Sequence, residues 1–91
     1  MTLTRGGFRR YDDDRSVVLF TMTNVADEVE CAISSAAMDG LDGSTNTKPS
    51  QREQQFLRLR DRIEERATRK FDAAELEGKP PGVILRSIDF R

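Results

Sequence analysis

Residues 50–71 leave this chain the least freedom. Ser50 and Glu53 stand at the spacing of a capping box, in which each side chain bonds the other's backbone N–H. Behind them Phe56, Leu59, Ile63, Ala67 and Lys70/Phe71 recur at three- and four-residue steps. That period places them in one apolar stripe along a helix. Such a helix draws most of its stability from burying its stripe against another surface. The run Gly78-Lys79-Pro80-Pro81-Gly82 must end any helix that reaches it.

Strands supply the opposing surface. Residues 16–23 (Ser-Val-Val-Leu-Phe-Thr-Met-Thr) are rich in β-branched and aromatic side chains. Val18, Phe20 and Met22 share the bulkier face, which is assigned to the core. Residues 28–34 alternate cleanly, with Val29, Cys31 and Ile33 on one face and Glu28, Glu30 and Ala32 on the other. Strict alternation marks a half-exposed antiparallel strand. A shorter aromatic stretch, 8–11, reads as a first strand, and Asp12-Asp13-Asp14-Arg15 as the turn after it. Residues 24–27 form the next turn. Ser34 or Ser35 caps a short helix through Leu41. Residues 42–48 are small, polar and aperiodic, the signature of a mobile loop. Residues 83–90 read as a last strand with Ile84, Ile88 and Phe90 on one face. The order β-β-β-α-α-β predicts an α+β fold: an antiparallel sheet with one short and one long helix packed on one face.

The 91 residues make a single domain spanning 1–91. A net charge of −1 is too small to draw the chain non-specifically to nucleic acid or an anionic membrane. The charge is unevenly spread, however. Residues 11–43 carry eight acids and one base, whereas 52–70 carry seven bases and four acids. Surface charge mixing implies that these oppositely charged parts lie close together. One cysteine permits no internal disulfide, which fits a reducing compartment. No apolar run approaches the roughly 18 residues of a membrane span, and the N-terminal residues lack the apolar core of a secretory signal. A cytoplasmic location is expected.

Several dispersed positions are familiar together: Phe8, Arg10-Tyr11-Asp12, Arg15, Val18 and Phe20; then Val29, Cys31, Ile33-Ser34 and Ala37; then Phe56, Arg60, Ile63 and Ala67; and last Asp89-Phe90. The pattern runs over nearly the whole chain. It resembles the bacterial domain-of-unknown-function family fourteen-eighty-eight, whose members are stand-alone proteins of about this length. The resemblance implies helices over an antiparallel sheet. It implies no activity and supplies no functional residues. The 42–48 loop and Pro80-Pro81 depart from the family's pattern.

Catalytic machinery is not evident. The chain has no histidine, the usual general base near neutral pH and the usual transition-metal ligand. Cys31 lies on an apolar strand face, as a buried thiol does, with no partner in sequence to activate it. Asp12-Asp13-Asp14 lacks the further ligands of a calcium loop, and Gly6-Gly7 lacks the Lys-Ser/Thr of a phosphate loop. Neither an enzyme nor a cofactor or metal site is expected.

What remains is a surface. Arg58, Arg62, Arg66 and Arg69 fall within an arc of about 80° on the long helix and form a ridge. Such a ridge is either a solvated face, relieved by Arg62–Glu65 and Glu65–Arg69 pairs, or a docking site for an acidic partner or for phosphates. Arg60 sits inside the apolar stripe, about 40° from Phe56. A buried arginine needs a counter-charge, so pairing with Asp12, Asp89 or another carboxylate is expected first. Snorkelling to the helix edge comes second and anion binding third. The leading expectation is a non-enzymatic protein-interaction or regulatory module that binds another protein or itself, with pairing of edge strands as the route to a homodimer. The alternatives are a nucleic-acid-binding protein using the arginine ridge, and a small-molecule binder.

Overall fold

The first three strands form a continuous antiparallel meander: β1 (Thr4–Asp12), β2 (Val17–Asn24) and β3 (Asp27–Ser34). The computed structural model describes residues 3–43, 47–78 and 81–90. Val18, Phe20 and Met22 of β2 and Val29, Cys31 and Ile33 of β3 are buried on one face, as their alternation requires. Ser34 caps α1 (Ser35–Asp42), its hydroxyl accepting the Ala37 N–H at 3.1 Å. Gly43 closes α1 in the left-handed conformation (φ 68°) and donates to Asp39 O. The expected loop at 42–48 therefore loses Asp42 to α1, and residues 44–46 lie outside the described residues.

The long helix, α2 (Arg52–Asp72), crosses the buried face of the sheet. Its stripe of Phe56, Leu59, Ile63 and Ala67 is buried against the strands, each large side chain stabilising the fold by about 1.5–3 kcal/mol. The capping box expected at Ser50 and Glu53 does not form. Pro49 begins a 3-10 turn (Pro49–Gln51) ahead of α2, since its fixed φ suits a first helical position. The Gln51 side chain accepts the Lys48 N–H at 3.0 Å, so the reaching-back interaction occurs two residues early.

At its other end α2 stops at Asp72, well before the Pro-Gly run. Glu75 N–H donates to Lys70 O and Ala74 N–H to Phe71 O, both at 3.0 Å, and Ala74 takes φ 59°. This is a Schellman closure with alanine where glycine is usual. Ala74→Gly should remove the left-handed penalty and stabilise the protein by about 0.5–1 kcal/mol, read as a higher urea midpoint. An unchanged or lower midpoint would contradict this account of the helix end.

The last strand differs most from expectation. Only Val83–Leu85 (β4) is extended, and Ser87–Phe90 winds into a 3-10 turn. β4 pairs with β3 in parallel, with Cys31↔Val83, Ala32↔Ile84 and Ile33↔Leu85, so the sheet is mixed, in order β1-β2-β3-β4. The chain leaves β3 at one end, crosses over through both helices, and re-enters at the other end, so β4 runs the same way as β3. Gly82 makes the approach possible, because a Cβ there would collide with the Glu30 carbonyl. The buried face of β4 is Val83 and Leu85, not the Ile84 face, and Ile88 is 68% exposed.

Candidate functional site

The two halves of the charge pattern do meet where the helices pack. Arg52, buried beside α1, donates from Nη1 to Asp39 Oδ1 at 2.7 Å and to Gln55 Oε1 at 2.6 Å. Gln55 Nε2 returns to Asp39 Oδ1 at 2.8 Å. The Arg52 guanidinium also lies 5.5 Å from the centre of the Tyr11 ring, and its Nε is buried with no hydrogen-bond partner among the described residues. Burial works against the charged form of Asp39, but the Arg52 and Gln55 hydrogen bonds outweigh it and hold the carboxyl below its ordinary range. This network is a strut between helices.

Arg60 belongs to a second strut. Its Nε is 3.1 Å from Glu64 Oε2, its Nη2 donates to Gly6 O at 2.9 Å, and its guanidinium lies over the Phe56 ring. Glu64 also receives Arg5 Nε at 2.7 Å. The partner of Arg60 is thus a carboxylate one helical turn away, not Asp12 or Asp89. Its bonds tie β1 to α2 and leave it little capacity for an anion.

The four ridge arginines do not act together. Arg58 turns toward α1 and meets Asp42 Oδ2 at 2.7 Å. Arg62, Arg66 and Arg69 line one cleft of about 610 Å³ between α2 and the C-terminal turn, with Glu65, Ile88, Asp89 and Phe90. Arg69 pairs with Glu65 at 3.1 Å. Arg66 donates from Nε to Asp89 O at 2.6 Å and stands 3.7 Å from its carboxylate. The Arg62–Glu65 pair does not form, and Arg62 makes no ion pair among the described residues. A smaller cleft of about 320 Å³ continues past Arg62 and Phe90 onto Ala36, Gly40 and Leu41 of α1.

Asp89 and Lys70 hold this arrangement in place. Lys70 occupies the apolar stripe, yet its Nζ reaches Ile84 O at 2.8 Å and Asp89 Oδ2 at 3.1 Å. Asp89 Oδ2 also accepts the Arg86 N–H at 2.7 Å, which bends the chain after β4. Burial would raise the Asp89 carboxyl, but the Arg86 N–H, the Lys70 ammonium and Arg66 together hold it below its ordinary range. Sequence reasoning missed the role of Lys70. The available signal was a lysine at a stripe position where an apolar residue belongs.

The remaining chemical candidates have structural roles. Cys31 is buried, and burial pushes its thiol up to about 12, so it carries no thiolate at neutral pH. Asp12 Oδ1 accepts the Arg15 N–H at 3.3 Å, as a turn aspartate does. Among the described residues no three acidic or cysteine side chains converge as metal ligands do.

The model of a protein family of unknown function (DUF1488) matches residues 5–80. The chain belongs to the DUF1488 family. Among solved structures, it is similar to a protein of unknown function from the DUF1488 family of Shewanella loihica PV-4, with a TM-score of 0.76. The two are 18% identical over 93% of each chain, which shows a common fold. No curated protein matches the chain. The DUF1488 model ends before β4, so Ile88, Asp89 and Phe90, which form one wall of the arginine cleft, lie beyond the matched residues. No helix is long and apolar enough to cross a membrane among the described residues.

Proposed function

We propose that this DUF1488 protein is a non-enzymatic interaction module whose cleft between α2 and the C-terminal turn takes an acidic segment carrying an apolar side chain. One observation carries the reading: Arg62, Arg66 and Arg69 share a cleft with Phe90 and with Ile88, which is 68% exposed. Cationic groups beside an open apolar surface suit a carboxylate next to a hydrophobic residue. Nucleic acid fits less well. Glu65 and Asp89 lie among the cleft arginines, and Arg58 is spent on Asp42. Pairing through sheet edges is also disfavoured. The β1 edge is interrupted by register shifts on both sides of Phe8 and carries Arg5, Arg9 and Arg10, and the β4 edge is a three-residue strand. A reducing cytoplasm suits a chain whose one thiol is buried.

The test is fluorescence anisotropy with a labelled Asp/Glu-rich peptide containing one leucine. Binding should weaken with added salt, and Arg62→Glu should lower affinity about tenfold or more. Replacing the leucine by serine should weaken binding further. Binding indifferent to Arg62→Glu, or an RNA duplex that outcompetes the peptide, would sink the proposal.

A further inference from the structure

The tip of the β2–β3 hairpin carries a residue that the fold does not use. Asn24 pairs with Asp27, so Val25 and Ala26 form a two-residue turn. Val25 takes φ 60° and is 84% exposed. The first central position of such a turn calls for glycine or asparagine, and a β-branched side chain there is strained. Val25 therefore combines an unfavourable backbone with an apolar side chain held out in water. A strained apolar side chain held out at a hairpin tip is a candidate contact point. Its surroundings are acidic. Asp27 follows with no ion pair among the described residues, and Glu28 is 3.7 Å from Arg9 with both side chains largely exposed.

The cleft described above is the chemical complement of this tip. It offers Ile88 and Phe90 to an apolar side chain and Arg62 to a carboxylate. The tip lies at the Asn24–Asp27 end of the sheet. The cleft lies at the other end, where β3 runs into α1 and β4 into the C-terminal turn. One chain cannot fill its own cleft. A two-fold arrangement in which each chain placed its tip in the other's cleft would close the assembly with both contacts made.

We infer that the occupant of the cleft is the Val25 hairpin tip of a second copy, in a reciprocal dimer. This rests on the reading of the cleft as an acidic-apolar site and names its partner. Each contact is small, so the dimer is weak, and its two contacts reinforce one another.

Sedimentation equilibrium over a wide concentration range tests the inference. The wild-type chain should pass from monomer to dimer at high micromolar concentration, and salt should shift it back. Val25→Gly should weaken association about tenfold or more while raising the Tm by about 4 °C, because glycine relieves the turn. A variant that merely damaged the fold would lower the Tm. Arg62→Glu should weaken association to a similar degree. An equimolar mixture of the two variants should associate more strongly than either alone, since an intact tip in one meets an intact cleft in the other.

Three results would overturn it: a wild-type chain that stays monomeric, a Val25→Gly variant that dimerises as the wild type does, or a mixture no more associated than its components. A monomeric wild type that still binds the acidic leucine peptide would leave the cleft reading standing and remove only the second copy. Loss of both would remove both.

Discussion

Replacing Phe56 by alanine is expected to cost about 3–5 kcal/mol, the range for deleting a fully buried aromatic side chain. Phe56 is wholly buried and joins the helix to two strands, its ring 5.0 Å from that of Phe20 and 5.9 Å from that of Phe8. Tilted ring pairs of this kind add about 0.5–1.5 kcal/mol beyond burial. The guanidinium of Arg60 lies over the same ring, so its packing would loosen too. A domain of this length has roughly 5–14 kcal/mol in total, so the variant should lose a large share of its stability. Urea denaturation followed by circular dichroism reads the effect. A loss below about 1 kcal/mol, less than any ordinary cavity of this kind, would show that the core does not centre on Phe56.

Asp89→Ala should be the costliest change at the cleft, about 3 kcal/mol, because it leaves the Lys70 ammonium buried without its counter-charge. Both side chains are about nine-tenths buried, so solvent does little to soften the loss. The same change removes the acceptor of the Arg86 N–H, and with it the bend that presents Ile88 and Phe90. Peptide binding at the cleft should therefore fall together with stability. Lys70→Met made alongside Asp89→Asn should recover much of the stability, since an apolar side chain in the stripe needs no partner. The dependence on pH gives a second check. The folded Asp89 carboxyl is held below its unfolded value of about 3.9, so its contribution is full above that pH and is lost as the folded group takes up a proton. The stability gap between wild type and Asp89→Ala should be constant near neutrality and shrink below about pH 4. A gap that stayed constant into acid would mean that the ion pair does not carry the effect.

Local chemistry made much of this fold readable. The alternation of Val18, Phe20 and Met22, the Ser34 cap and the stripe from Phe56 to Ala67 are each written in neighbouring residues. The features that escaped depend on distant ones. Residues 83–90 alternate like a strand, but Asp89 bends the chain by binding the Arg86 N–H and Lys70, and Lys70 is far away in sequence. The direction of β4 leaves no local mark, because apolar strands pair either way. Of the candidate site, the arginine ridge was legible from spacing. Which three of its members face Ile88 and Phe90, and which one turns to Asp42, is decided by how the C-terminal turn and α1 pack.

The parallel docking of β4 also sets an order of assembly. The β1–β2–β3 meander joins residues close in sequence and needs only short loops to close. Pairing Cys31 with Val83 must close the whole segment that carries the helical crossover. Closing so long a segment carries a larger entropic cost than closing a hairpin, which favours late formation. β4 is therefore expected to be the last strand to join, leaving the free edge of β3 and the Val83–Leu85 side of the core open until it does. The same late step would fold the C-terminal turn and complete the cleft, so any binding that the cleft supports would wait until folding is finished.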